Sequence, residues 1–148
     1  MADPEVFGEL DASELEALLS IADDVSYEDG DRLFDEGGEA GHCWLIRHGR
    51  VALDTAVPGR GLVVIQTLGP GDLLGWSWLV PPYRWHFGAL AVGTVEATSF
   101  DAERMRALAE QDPRLGYALT KQLLAIALDR LQSTRARLLD LYGNGARD

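Results

Sequence analysis

Leu68-Gly69-Pro70-Gly71-Asp72-Leu73-Leu74-Gly75-Trp76-Ser77-Trp78-Leu79-Val80-Pro81-Pro82-Tyr83-Arg84-Trp85-His86-Phe87 is the stretch on which the reading of this chain turns. A Gly-Pro-Gly-Asp turn carries the backbone out of one apolar strand. Gly75 then opens a segment with two tryptophans, a double proline and a single arginine. Three of the chain's 4 tryptophans lie here, which marks the segment as a candidate ligand or partner site held by an otherwise ordinary scaffold.

On either side of this stretch the apolar pattern has the short period of strands. Arg32-Leu33-Phe34, Cys43-Trp44-Leu45-Ile46, Val51-Ala52-Leu53 and Leu62-Val63-Val64-Ile65 precede it. Phe87-Gly88-Ala89-Leu90-Ala91-Val92 and Val95-Glu96-Ala97-Thr98 follow. Glycine-rich turns separate the runs, and Gly49 after His48 suits a tight hairpin that needs positive φ. Many short strands at this spacing indicate an all-β barrel or sandwich of roughly eight strands.

The two ends of the chain read as helices. Ser13 and Glu16 form an expected capping box for a short N-terminal helix with Leu15, Leu18 and Leu19 on one stripe. Asp101 is placed to cap Ala102 to Gln111, and Pro113 to open a long helix that Gly143-Asn144-Gly145 would end. On that helix Leu115, Leu119, Leu123, Ile126, Arg130 and Leu131 share a stripe, which Leu124, Leu128, Leu138 and Tyr142 broaden. That is more apolar surface than one small barrel covers, so a homodimer through this helix is expected; a helix folded wholly onto its own barrel is the alternative.

Composition narrows the function classes. At 148 residues the chain fits one domain, residues 1–148, with a barrel over about 24–100 and C-terminal helices over about 101–142. Its net charge of -11 disfavours nucleic acid, whose binders carry a basic face. Arg130, Arg135 and Arg137 come nearest to a basic patch, but Asp129 and Asp140 interleave with them. No apolar run approaches the roughly 20 residues of a membrane span, and no secretory signal is visible. With 1 cysteine, Cys43, no internal disulfide can form, and a cytoplasmic location is the default expectation.

No enzyme is expected either. Gly75-Trp76-Ser77-Trp78-Leu79 begins like a nucleophile elbow but lacks the closing glycine. His42, Cys43, His48 and His86 do not have metal-ligand spacing, so neither a catalytic nor a metal site is anticipated.

From about Leu10 to Leu141 the chain resembles the cyclic nucleotide-binding domain family. The resemblance rests on Gly30-Asp31-Arg32-Leu33-Phe34-Asp35-Glu36-Gly37, Trp44-Leu45-Ile46-Arg47-His48-Gly49-Arg50-Val51-Ala52-Leu53 and Leu68 to Gly75, in that order. It implies an antiparallel eight-stranded jelly-roll β-barrel with a short N-terminal and a long C-terminal helix, mainly β in class. It also implies a sensor or regulatory module for cAMP or cGMP. In the family pattern Leu74 and Gly75 match the opening of the phosphate-binding cassette. Trp76 stands where a glutamate would accept from the ribose 2′-hydroxyl, and Arg84 is the candidate phosphate arginine. Trp85 and His86 replace the small residues that make room beside it. Ser133 and Thr134 lie where family members often place a residue that reaches the base. Because the chain ends at Asp148, output through an effector protein rather than DNA is expected.

The chemistry expected of the site follows from these residues. The Gly75, Trp76 and Ser77 amides would form an anion site if they opened a short helix. Arg84 would add a bidentate, charge-assisted pair. Trp76, Trp78 and Leu79 would supply packing or a stacking face, with Trp85 and His86 beside them. Trp76 cannot accept as a carboxylate does, so either a cyclic nucleotide binds weakly or the domain takes an apolar molecule or a protein segment instead.

Overall fold

The computed structural model describes residues 10–146. Its elements are α1 (Ala12–Leu19), β1 (Ala22–Tyr27), β2 (Arg32–Phe34), β3 (His42–Val57), β4 (Gly61–Leu68), β5 (Leu73–Leu74), β6 (Gly88–Asp101), α2 (Ala102–Gln111) and α3 (Pro113–Ala146). All strand pairings are antiparallel, in the order β1-β6-β3-β4, with β2 added to β6 and β5 to β3. The result is the expected jelly-roll, mainly β, with three flanking helices.

The eight expected strands appear as six continuous ones, because β3 and β6 each run through two of them. β3 spans 16 residues and holds both Cys43–Ile46 and Val51–Leu53; β6 spans 14 and holds Gly88–Val92 with Val95–Thr98. The two pair from His42↔Asp101 to Asp54↔Gly88, with the register shifting on both sides of His48. Gly49 is therefore the centre of a bulge and not a hairpin turn. Its φ of 89° and its position against Thr94 O, which a Cβ would strike, leave room only for glycine.

Helix caps follow local chemistry with small displacements from expectation. The capping box is Asp11 with Glu14, not Ser13 with Glu16: Asp11 Oδ1 accepts the Glu14 amide at 2.8 Å and Glu14 Oε1 accepts the Asp11 amide at 3.0 Å. Leu18 is buried while Leu19 is exposed, which narrows the apolar stripe of α1. Asp101 caps α2 as expected, its carboxylate accepting the Arg104 amide. Pro113 opens α3, which runs on through Gly143 and Gly145 to Ala146. Interior glycines cost a helix about 1 kcal/mol each without removing a ladder donor, so they weaken rather than stop it.

One side of α3 packs on the barrel and the other does not. Leu115, Leu119, Leu123 and Arg130 are buried, whereas Tyr117, Leu124, Leu128, Leu131 and Leu139 are exposed. Leu131 thus departs from the buried stripe on which its spacing put it. The side chains of Thr134, Arg137, Leu138, Asp140 and Tyr142 lie outside the described residues. Among the described residues no helix is long and apolar enough to cross a membrane, and no group of His, Cys, Asp and Glu could hold a metal ion.

An ion pair ties β2 to β3 across the barrel. Arg32 of β2 donates to both carboxylate oxygens of Asp54 on β3, at 2.8 and 2.9 Å, and the Asp54 side chain is only 5% exposed. The Asp54 hydrogen bonds hold the Arg32 guanidinium well above its ordinary pKa.

Candidate functional site

β4 ends at Leu68, and the Gly69–Asp72 turn is closed by Asp72 Oδ2 accepting the Gly69 amide at 2.8 Å. β5 then lays Leu73 and Leu74 against Leu45 and Trp44 of β3. From Gly75 to Phe87 the chain leaves regular structure. No helix forms there: Leu79 N donates to Trp76 O at 3.2 Å in a single turn, and the Pro81–Pro82 bond is cis. Without a helix the Gly75, Trp76 and Ser77 amides have no aligned helix dipole behind them.

The eight candidate residues separate into three places. Gly75, Ser77, Trp78 and Trp85 are buried, and Leu79 is half-buried. Trp78 is anchored by donating its indole N–H to Gly75 O at 3.1 Å, and Ser77 Oγ is buried without a hydrogen-bond partner. Trp85 lies face to face with Phe34, with ring centroids 3.9 Å apart, and meets Trp44 at 6.0 Å. A Cβ on Gly75 would sit 2.8 Å from Trp85 Cη2, so the indole occupies the space directly over that glycine.

Arg84 is elsewhere. It is exposed, donates weakly to Gly37 O at 3.4 Å, and shares a depression of about 240 Å³ with Glu39, Tyr83 and Arg106. Arg106 reaches over from α2, donating to Trp78 O at 2.6 Å and lying 4.3 Å above the Tyr83 ring. Tyr83 itself has a φ of 56°, a strained value for a bulky residue, and it ends the turn that directs Arg84 outward.

Only Trp76 and His86 of the eight face the apolar hollow between barrel and long helix. This hollow of about 340 Å³ is walled by Leu53, Ile65 and Gln66 of β3 and β4, by Trp76, His86 and Phe87, and by Ala127, Arg130 and Leu131 of α3. Trp76 is half-buried and meets Phe87 edge-on, with centroids 5.2 Å apart at 67°. Ser133 is exposed and does not line the hollow.

Arg130 is the residue that sequence reading assigned to an apolar stripe without a role. Its side chain is among the few buried charged ones, 7% exposed. Nη2 donates to Leu73 O at 2.7 Å, the guanidinium lies 4.3 Å above the Trp76 ring, and Nη1 is buried with no hydrogen-bond partner. Burial pushes its pKa down to about 10, partly offset by the charges of Asp72 and Asp129, so the cation persists at neutral pH. An arginine amid Leu123, Ile126 and Leu131 at helical spacing was the available signal, since arginine is almost never fully buried unless paired.

Comparison with known proteins agrees with this architecture. The family model described as cyclic nucleotide-binding domain matches residues 24–112, more than half the chain. A CRP-like cAMP-activated global transcriptional regulator of Mycobacterium tuberculosis is 25% identical over 136 residues; the match takes in 92% of this chain but only 59% of the regulator's length. A putative cyclic nucleotide-binding protein from Geobacter metallireducens GS-15 superposes with a TM-score of 0.78 at 26% identity, over 88% of this chain and 99% of that one. The Thermus thermophilus catabolite activator protein does so with a TM-score of 0.74 at 26% identity, over 95% of this chain and 63% of that one.

Proposed function

The chain belongs to the cyclic nucleotide-binding domain family, and from that premise we propose that it is a non-enzymatic sensor module whose ligand seats in the hollow between Trp76 and Arg130. One observation carries the proposal: strands and long helix wall the same hollow, so an occupant touches both and changes how α3 rests on the barrel. Its size is within the few hundred Å³ usual for small-molecule sites, and its lining is mostly apolar with a few polar groups.

A cyclic nucleotide would be held weakly there. Trp76 offers its ribose 2′-hydroxyl no carboxylate acceptor, a loss of about 1–3 kcal/mol. Arg84 is too far around the loop to share the same phosphate with Arg130, since it lines a different depression. These features favour a reading in which cAMP or cGMP has been displaced by another small molecule, with an effector protein receiving the signal.

The exposed stripe of Tyr117, Leu124, Leu128 and Leu131 repeats every three to seven positions along α3. A second copy of the chain is its proposed cover, since such a spacing is self-complementary in a helix pair. Leu131 belongs to both stripe and hollow, which would let occupancy bias the pairing.

Trp76 fluorescence tests the reading. A ligand that enters the hollow shifts emission saturably, and Trp76→Phe removes most of the response. If cAMP, cGMP and small aromatic molecules all leave emission unchanged up to millimolar concentration, the hollow is not a ligand site.

A further inference from the structure

We infer that the hollow selects a small planar aromatic monoanion, such as an arylcarboxylate, with the Arg130 guanidinium as its charge partner. The inference rests on the reading of the hollow as a ligand site and adds the chemical class of what enters it.

Charge distribution is the first ground. The chain is acidic, at -11, yet among the described residues no carboxylate lines this hollow; its polar wall consists of Gln66, His86 and Arg130. A neighbouring depression that shares Gln66 and Arg130 differs, having Asp72 and Asp129 in its wall. Of the two depressions that Arg130 lines, only the hollow has no carboxylate among its described lining residues, so an anion is favoured there.

The second ground is an unmet hydrogen bond. Arginine has five N–H donors in a fixed fork, and burying one without an acceptor is costly. Nη2 has Leu73 O, but Nη1 has nothing. Nη1 is itself buried, so a carboxylate in the hollow would neutralise this desolvated charge and would meet Nη1 once the guanidinium turns on the Trp76 ring, an interaction stronger than a neutral hydrogen bond.

The third ground is shape. Leu53, Ile65, Phe87 and Leu131 make the remaining wall apolar, and the Trp76 ring already has a guanidinium over one face. A flat hydrocarbon body fits among these groups, whereas a ribose would bring hydroxyls for which the lining holds no carboxylate.

Isothermal titration with 2-naphthoate, the neutral 2-naphthalenemethanol and cAMP tests the inference on the intact chain. Expected is saturable binding of naphthoate that is at least about tenfold tighter than that of the neutral isostere, as a charge-assisted bond requires. Arg130→Met should abolish that preference while leaving the neutral compound's affinity within a factor of about three. Arg130→Lys, which retains the charge, should keep part of the preference and serves as the second variant if Arg130→Met does not fold. Equal binding of naphthoate and its neutral isostere overturns the anion assignment and leaves the hollow as an apolar site. Tight cAMP binding without naphthoate binding also overturns it, while the sensor reading stands. No heat with any of the three removes both.

Discussion

The indole of Trp85 stacks on the ring of Phe34, centroids 3.9 Å apart and planes 16° from parallel. The pair closes the barrel's interior over Gly75 with hydrocarbon. The cassette loop is consequently pinned by its own aromatic residue. Trp85→Ala should cost about 3–5 kcal/mol in stability, the range for deleting a buried large aromatic, read as a lower denaturation midpoint in urea. A loss below about 1 kcal/mol would mean that the indole is not part of the core.

Gly75→Ala is expected to destabilise for two additive reasons. The new methyl meets Trp85 Cη2 at 2.8 Å, and a φ of 95° is unfavourable for alanine. A fall in melting temperature with altered near-ultraviolet dichroism from the displaced indole is the measurable sign. Trp85→Phe in the same chain should restore part of the loss.

Arg84→Ala should change stability by no more than about 0.5 kcal/mol and leave any ligand response intact, since the guanidinium is exposed with one long hydrogen bond to Gly37 O. Loss of ligand binding in this variant, with the fold preserved, would return the site to the cassette loop.

Asp54→Ala removes the bidentate partner of Arg32 and leaves it only Asp35 as a carboxylate partner, at 2.8 Å, so it should cost about 1–3 kcal/mol. The double replacement Arg32→Met with Asp54→Leu should recover most of that loss. Thermal unfolding of the three variants checks the comparison, and a double variant as unstable as Asp54→Ala would speak against it.

Arg130→Met is expected to raise the melting temperature of the ligand-free chain, because it removes a buried charge whose Nη1 has no acceptor. The folded chain holds the Arg130 proton less tightly than the unfolded chain, because burial lowers its pKa to about 10. The stability cost of the cation is therefore complete below about pH 10 and is relieved as pH rises from there toward the ordinary arginine range. The gain from Arg130→Met should be constant from pH 6 to about 9 and shrink above pH 10, as scanning calorimetry would record.

The exposed stripe of α3 gives a further test. Leu128→Glu places a charge in the proposed helix pair and should turn a dimer into a monomer by sedimentation while the barrel's circular dichroism stays unchanged. A monomeric parent chain would remove the pairing proposal.

Much of the architecture could be read from residue order alone. Turn glycines bounded the strands, Asp101 and Pro113 marked the two helix starts, and three motifs in sequence indicated the family, because each depends on local backbone chemistry within a few positions. Where expectation failed, two local signals competed: Asp11 capped α1 ahead of Ser13, and Gly49 relieved a bulge where a turn was equally consistent with its positive φ. The ligand site was less legible. Trp76 and His86 belong to the hollow, but Arg84 and Trp85, one residue apart, go to the surface and to the core. A strained turn at Tyr83 directs Arg84 outward, while Trp85 meets Phe34 and Trp44, residues about forty to fifty positions earlier in the chain. Arg130 became a site residue only when α3 folded back over β4 and β5, carrying one charge into a buried position. Burial converts an ordinary arginine into an unmet donor, and burial is a property of the folded molecule.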